Sequence, residues 1–463
     1  VEANEAHEKL QADAAQITAD AAAALTEKNE GVTVFNSLSF ERNSIVTLPD
    51  SFADGAALSD GSPIPVQKTK EGVKALVSMP SCGAVSLYPK AAEKTQEAAL
   101  PEAEAASIQK TADGFVMENG LVSARINGQG EVVSFRLKTG NGTADGLSRE
   151  YAAGPMNRLR LFKDVPRKFD AWDIDSNYVC QEIEGACEVA VEPVEEGLEA
   201  VLKVTGRISQ SAYTQYIRLA ADSRRLEFET IIDWKELHRL LKTSFPVNVY
   251  AENGINEIQF GYVERPAHRS RPYDQERFEV CNHHYSAFRD ANGGAAVLND
   301  CKYGISMNEN SLELTLLRAS AAPEMRADNK VHHFTYAFTA WEGSFMDSDV
   351  VRQGYELNVK PYLASGSGQD FSMLSIDRAN IILDTMKPAE DGSGDIILRL
   401  YESKKAATSA SVQLSRELLT AGSSVYACDM LENVTEELSV SDGALALSFH
   451  PFEIRTIRIA GPR

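Results

Sequence analysis

Between residues 198 and 234 the chain reads LEAVLKVTGRIS, TQYIRLA and LEFETIIDW, segments in which apolar and polar side chains alternate. A period of two sends successive side chains to opposite faces of an extended strand, so each segment predicts a strand with one buried and one wetted face. Strands patterned this way build antiparallel sheets. FVMEN, LVSARIN, EVVSFRL and EVAVEP belong to the same series, and NGQGE carries glycine where a tight hairpin needs positive φ. Earlier in the chain VTVFNSL, SIVTLP and KALVSMP are short, β-branched and bounded by turn residues. IILRLYE, SVQLSR, LALSF and EIRTIRIA close the chain in the same style. The absence of a fixed-period repeat argues against a propeller or solenoid.

The expected fold is therefore mainly β, and 463 residues exceed what one core organises. A small β domain is expected over 30–113, a large antiparallel β-sandwich over 114–370 and a C-terminal β-sandwich over 371–463. Residues 91–106, AAEKTQEAALPEAEAA, read as an acidic linker or exposed helix. Residues 1–29 are different in texture. Ala3, Ala6, Leu10, Ala14, Ile17, Ala21 and Leu25 recur every three or four positions, which predicts one amphipathic helix with a stripe to bury. No second helix of that length follows, so the chain is expected to start in the middle of a helical unit whose partner helices lie upstream or are absent. A helix stripe without partners and a lost domain interface would favour association into a homo-oligomer.

A net charge of −21 argues against nucleic acid and against an anionic membrane surface. No apolar run reaches membrane-spanning length, and the first residues lack a signal-peptide pattern. Six cysteines, Cys82, Cys180, Cys187, Cys281, Cys301 and Cys428, form no CxxC pair and no disulfide scaffold. They read as free buried thiols in a reducing compartment, and the expected location is cytoplasmic. Sequons at Asn141 and Asn433 are then coincidental.

HExxH, P-loop, GxSxG and dinucleotide motifs are all missing. Three polar clusters remain. NRLRLFKDVPRKFDAWDID gathers Asn157, Asp164, Asp170, Trp172, Asp173 and Asp175. A Trp among carboxylates can stack on sugar C–H faces and accept hydroxyl hydrogen bonds; it can equally plug an interface while the Asp residues cap turns. FGYVERPAHRSRPYDQERFEVCNHHYSAF gathers Glu264, Arg265, His268, Arg269, Asp274, Arg277, Glu279, His283, His284 and Tyr285, as a functional loop or as ion pairs pinning one. A metal at His283 and His284 is disfavoured, because neighbours on a strand face opposite ways and no third ligand is evident. RADNKVHHFTYAFTAWEGSF holds Asp328, His332, His333, Tyr336 and Trp341, with one of its His residues expected buried in a sheet.

The order and wording of these segments resemble the C-terminal half of glycoside hydrolase family 38 α-mannosidases of the bacterial and cytosolic or vacuolar type. TVFNSLSFERNSIVTLP is similar to that family's FN-x-L-S-W-x-R strand, with Phe40 where Trp is usual. Asn119, Gly120 and Leu121 begin the next sheet. NRLRLFKDVPRKFDAWDID matches the N-x-L-x-L-F-x-D-x-P…DAWD segment and FGYVERPAHR the FGxVERPTH segment. GGAAVLNDCKYGI, LTLLRASAAPEMRAD, HHFTYAF, MKPAEDGSGDIILRLYE and FHPFEIRTIRI continue the match from about residue 31 to 460. Two departures stand out: Thr339, Ala340, Trp341, Glu342 and Gly343 replace Pro-His-x-Gly, and His283, His284 and Tyr285 replace His-Lys-Trp.

The resemblance implies a galactose mutarotase-like supersandwich for the large domain, and residues 1–29 as the last helix of a three-helix bundle. It implies zinc-dependent, retaining hydrolysis of α-mannosides, which needs two carboxyl groups about 5 Å apart and an open metal position. In that family the nucleophile, acid and zinc ligands sit in an N-terminal catalytic domain, so no catalytic residue and no metal ligand is assigned to this chain. Its expected partners are that domain and α-mannoside oligosaccharides, with zinc in the full-length enzyme. Asp170, Trp172 and Asp173 are expected to border the sugar site, with Asn157, Asp164, Glu264, Arg265 and His268 supporting the loops. Two alternatives remain. A non-catalytic carbohydrate-binding module would need Trp172 and Trp341 exposed on one groove. A mutarotase-like epimerase would need His268 or His283 to meet Glu264 or Glu279 in one cleft.

Overall fold

The structure, a computed structural model, describes residues 2–90, 105–138 and 146–461. Its chain contacts define two compact units, residues 100–358 and residues 1–99 with 359–463.

Residues 100–358 hold three antiparallel sheets. The nine-stranded sheet runs Ala186–Glu195, Glu199–Ile208, Ser211–Ala220, Leu226–Asp233, Val331–Glu342, Gly293–Asn299, Tyr285–Asp290, Asn253–Ile258, Gly261–Pro266. The six-stranded sheet runs Glu182–Ile183, Arg158–Lys163, Arg239–Pro246, Ser311–Arg318, Gly304–Asn308, Val280–Cys281. A four-stranded meander of Ser107–Lys110, Gly114–Glu118, Val122–Asn127 and Val132–Leu137 completes the unit. One core joins all three, with Met117 and Phe135 from the meander, Ile217, Phe228 and Phe338 from the large sheet, and Leu161, Phe245 and Leu314 from the six-stranded sheet. The alternation at Ser211–Ala220 is the predicted one, every second side chain buried. Gly293–Asn299 is instead buried throughout, because the helix Val350–Asn358 packs on it. The NGQGE hairpin turns at Gly130, φ 75°, where a Cβ would also lie 2.9 Å from Val204 Cγ1.

In the other unit Glu27–Asn36 pairs with Gly83–Pro89 on one side and Tyr362–Ser367 on the other. Tyr362–Ser367, grouped by sequence order with the large sandwich, thus completes a sheet begun some 330 residues earlier. A three-stranded sheet of Arg42–Leu48, Gly72–Met79 and Val66–Thr69 supplies much of the same small core, including Val46, Ala75 and Val77. From Leu374 onward a four-stranded and a five-stranded sheet share a core of Leu398, Leu400, Val412, Leu447 and Ile457.

The helix Glu2–Ala24 forms, but its expected stripe lies open: Leu10 is 65% and Ile17 70% exposed, and Ala22 is its buried residue. Extended structure begins at Glu27, earlier than expected. No helix among the described residues is long and apolar enough to cross a membrane. Most of the 91–106 segment and Asn141 lie outside the described residues; Ala106 bridges to Gly197. The expectation of buried thiols is corrected. All six cysteines are free, but Cys180, Cys281 and Cys301 are exposed, since each sits in a short edge element or turn.

Candidate functional site

The segment after the strand Arg158–Lys163 is built by its own carboxylates. Asp164 is buried; its N–H donates to His238 O at 3.0 Å and its carboxylate accepts Arg318 Nε at 2.7 Å. The chain then reverses at Phe169, φ 55°, whose carbonyl accepts the N–H groups of Trp172 and Asp173 at 2.7 and 2.8 Å. Asp170 Oδ2 accepts the N–H groups of Ala321 and Ala322 at 2.6 and 3.0 Å and lies 3.1 Å from His238 Nε2. Burial opposes the Asp170 charge, yet the Ala321 N–H and His238 outweigh it and hold the carboxyl below its ordinary pKa. The Arg318 guanidinium also donates to Asp170 O at 3.2 Å and Asp173 O at 2.6 Å. Asp164 and Asp170 therefore spend their acceptors on the loop. What the loop presents outward is the Trp172 ring, 89% exposed, with Phe169 and the Asp173 side chain.

Asn157 lies in a bend just before the strand Arg158–Lys163, with its side chain buried in the sandwich core. At φ 60° it donates to Gly130 O and Gln215 Oε1, and accepts Tyr336 OH at 2.7 Å.

In the second cluster Glu264 and Arg265 lie on the edge strand Gly261–Pro266. Glu264 pairs with Arg289 at 3.2 Å; Arg265 donates to Asn256 Oδ1 at 2.6 Å and Cys281 O at 3.3 Å. Arg271 grips the buried Asp274 with Nε and Nη2, at 2.8 and 3.0 Å, at the start of a single helical turn. His268 Nδ1, 3.9 Å from Asp274, is half exposed on an open cleft of about 670 Å³. Tyr250 and the bidentate pair of Arg149 with Asp290, 2.7 and 3.2 Å, line that cleft too.

The remaining residues separate. Glu279 reaches a buried Lys242 and accepts Tyr178 OH at 3.0 Å. His283 and His284 place Nδ1 4.0 and 3.7 Å from Glu257, whose carboxylate also accepts the His284 N–H at 2.8 Å. Here the opposite-faces expectation fails, because both His residues lie in a bend before the strand Tyr285–Asp290. Burial pushes the Glu257 carboxyl up to about 7. His332 Nε2 is 2.7 Å from Asp328 O, and His333 Nε2 is 3.0 Å from Glu229. Trp341 is 4% exposed, so the paired-platform arrangement of a binding module does not form. His268, His283, Glu264 and Glu279 each have the different neighbour given above, so the epimerase cleft is not assembled from them.

Three residues that matter here were not singled out from sequence. Arg318 lies inside LTLLRASAAPEMRAD, a matched segment, without any local sign of its role. His238 and Glu257 stand alone in strand-like surroundings. Among the described residues no three His, Cys, Asp or Glu side chains are placed to hold a metal. The groups present among the described residues do not fit zinc.

A mainly β chain of several antiparallel sheets, with loops of this wording, defines the C-terminal β region of a glycoside hydrolase. The family model described as Glycosyl hydrolases family 38 C-terminal domain matches residues 117–326, and the family 38 C-terminal beta sandwich domain matches 380–457. The chain belongs to glycoside hydrolase family 38. It is 30% identical over 439 residues to human Alpha-mannosidase 2C1, covering 92% of this chain and 39% of that protein. It is also 30% identical to Alpha-mannosidase G of Dictyostelium discoideum, covering 94% and 40%. The chain thus spans about 40% of the length of these relatives. The crystal structure of an alpha-mannosidase from Enterococcus faecalis V583 shares the fold at a TM-score of 0.70 and 14% identity, over 92% of this chain and 56% of that one.

Proposed function

We propose that this chain is the structural and substrate-shaping C-terminal region of an α-mannosidase that hydrolyses terminal α-mannosides by a zinc-dependent retaining mechanism. In this reading the nucleophile, the acid and the zinc ligands come from the part of the enzyme that its relatives carry beyond the matched region. The 164–175 loop borders the sugar, and this chain by itself is inactive. The observation that carries the reading is the state of the loop's carboxylates. Asp164 and Asp170 are held by Arg318, His238 and backbone N–H groups, while Trp172 stays open to stack on a sugar face. Two carboxyl groups free to act as nucleophile and acid, about 5 Å apart, are what retention requires; this loop engages Asp164, Asp170 and Asp175 and leaves Asp173 open, one short of the pair. Three exposed free thiols favour a reducing, cytoplasmic location.

The test is hydrolysis of an aryl α-mannoside by the purified chain, with zinc or cobalt, before and after mixing with the separately made N-terminal region. Activity only in the mixture is expected. Robust activity of the chain alone would overturn the reading.

A further inference from the structure

A cleft of about 530 Å³ opens within residues 100–358, and neither the 164–175 loop nor the 264–285 segment lines it. It lies where the hairpin at Gly130 and the edge strand Glu182–Ile183 meet the inner face of the nine-stranded sheet at Val204, Tyr213 and Gln215. Small-molecule sites occupy about 300–1,000 Å³.

Much of the polar lining is already partnered. Asn157 and Gln215 are fully engaged: Asn157 Nδ2 donates to Gln215 Oε1 at 2.7 Å, and Gln215 Nε2 to Thr230 Oγ1 and Tyr336 OH at 2.9 Å each. Glu131 accepts Asn127 Nδ2 at 2.8 Å, and Glu182 takes the Arg160 guanidinium at 2.6 and 3.0 Å. Tyr213 differs. It is 4% exposed, and among the described residues its hydroxyl has no hydrogen-bond partner. Burial pushes that hydroxyl's pKa up, with no hydrogen bond to offset it. Its ring is seated on Gly206, where a Cβ would come within 2.7 Å of Cε1. The side chain is buried while its hydroxyl atom stays open to the cleft, where a ligand hydroxyl can replace water.

Charge and shape narrow the ligand. Three carboxylates, Glu131, Glu182 and Glu184, against the one lining cation Arg158 disfavour an anion such as a phosphorylated sugar. Two of the three already have donors, which leaves little net field for a cation. Leu159, Ile183 and Val204 offer apolar surface beside acceptors and one free hydroxyl, the mixture that C–H faces and hydroxyls of a pyranose require. We propose that this cleft is a binding site for one neutral sugar unit, with the Tyr213 hydroxyl as a hydrogen-bonding contact on its wall. Choosing a mannoside as the first probe rests on the α-mannosidase reading; the cleft does not.

The experiment is an NMR titration of the full chain with methyl α-D-mannopyranoside, then with the glucoside and galactoside. It is repeated on Tyr213→Phe and on Ile183→Trp, which narrows the mouth from a residue 36% exposed. Saturable millimolar binding is expected, weakened about tenfold by Tyr213→Phe and abolished by Ile183→Trp. Thermal melting of Tyr213→Phe should be unchanged; a clear fall would make the hydroxyl structural and count against the site. Binding of another glycoside, equally dependent on Tyr213, would uphold the cleft and speak against the α-mannoside reading. No binding by any of the three, or binding indifferent to both substitutions, would overturn the proposal whatever the hydrolysis test shows.

Discussion

Arg318 and Asp164 are 154 residues apart in sequence and meet at 2.7 Å, and the same guanidinium donates to the carbonyls of Asp170 and Asp173. One side chain from the six-stranded sheet thereby holds both the root and the turn of the loop that displays Trp172.

Arg318→Ala leaves the Asp164 carboxylate buried without its cation. A loss of roughly 2–3 kcal/mol is expected, read as a lower urea midpoint for the chain. Arg318→Lys should recover only part, because a single ammonium cannot span the carboxylate and two carbonyls. An unchanged midpoint in Arg318→Ala would remove Arg318 from the role assigned here.

Trp172→Ala separates display from support. The ring is 89% exposed, so stability should move by less than about 0.5 kcal/mol. Turnover of an aryl α-mannoside by the reassembled enzyme should fall about tenfold or more if the ring contacts sugar. Full activity would show that the loop serves only its own neighbours.

Glu257 should make stability pH-dependent. Its folded pKa, about 7, lies above the ordinary value of 4.5, so the unfolded chain ionises first. Stability is fully present below pH 4.5, falls as pH rises toward 7 and levels off above, by roughly 3 kcal/mol for the whole shift. Glu257→Gln should flatten this slope and be the more stable protein at pH 8. Parallel pH profiles for the two would refute the assignment.

The thiols offer a kinetic check. At pH 8 an aromatic disulfide reagent should modify Cys180 and Cys281 quickly in the native protein. Cys301, though exposed, should lag, since partial burial and Asp300 push its thiol up to about 12. Cys82, also pushed up to about 12 and buried, should react only on unfolding. Mass mapping of early adducts decides the order.

The sheets were legible because alternation is local: the period of two in TQYIRLA needs no knowledge of what packs above it. The family-like segments located the loop, and Asp164 and Asp170 with it. Which way those carboxylates turned was not legible, because their partners Arg318, His238 and the Ala321 N–H come from distant strands. The pair His283 and His284 misled for the opposite reason. A strand rule was applied to a bend, and a single lone Glu257 could gather both rings. The exposure of Leu10 and Ile17 likewise follows from what is present around the helix, which periodicity alone does not specify.

The strand Glu27–Asn36 has a further consequence through its pairing with Tyr362–Ser367. During synthesis the first strand emerges hundreds of residues before the neighbour that covers its edge, while residues 100–358 can gather their own contacts in the interval. The small sheet is therefore among the last pieces to close. A ribosome halted before residue 360 would release a chain whose large sandwich is complete but whose opening strand still offers a bare hydrogen-bonding edge to any passing strand.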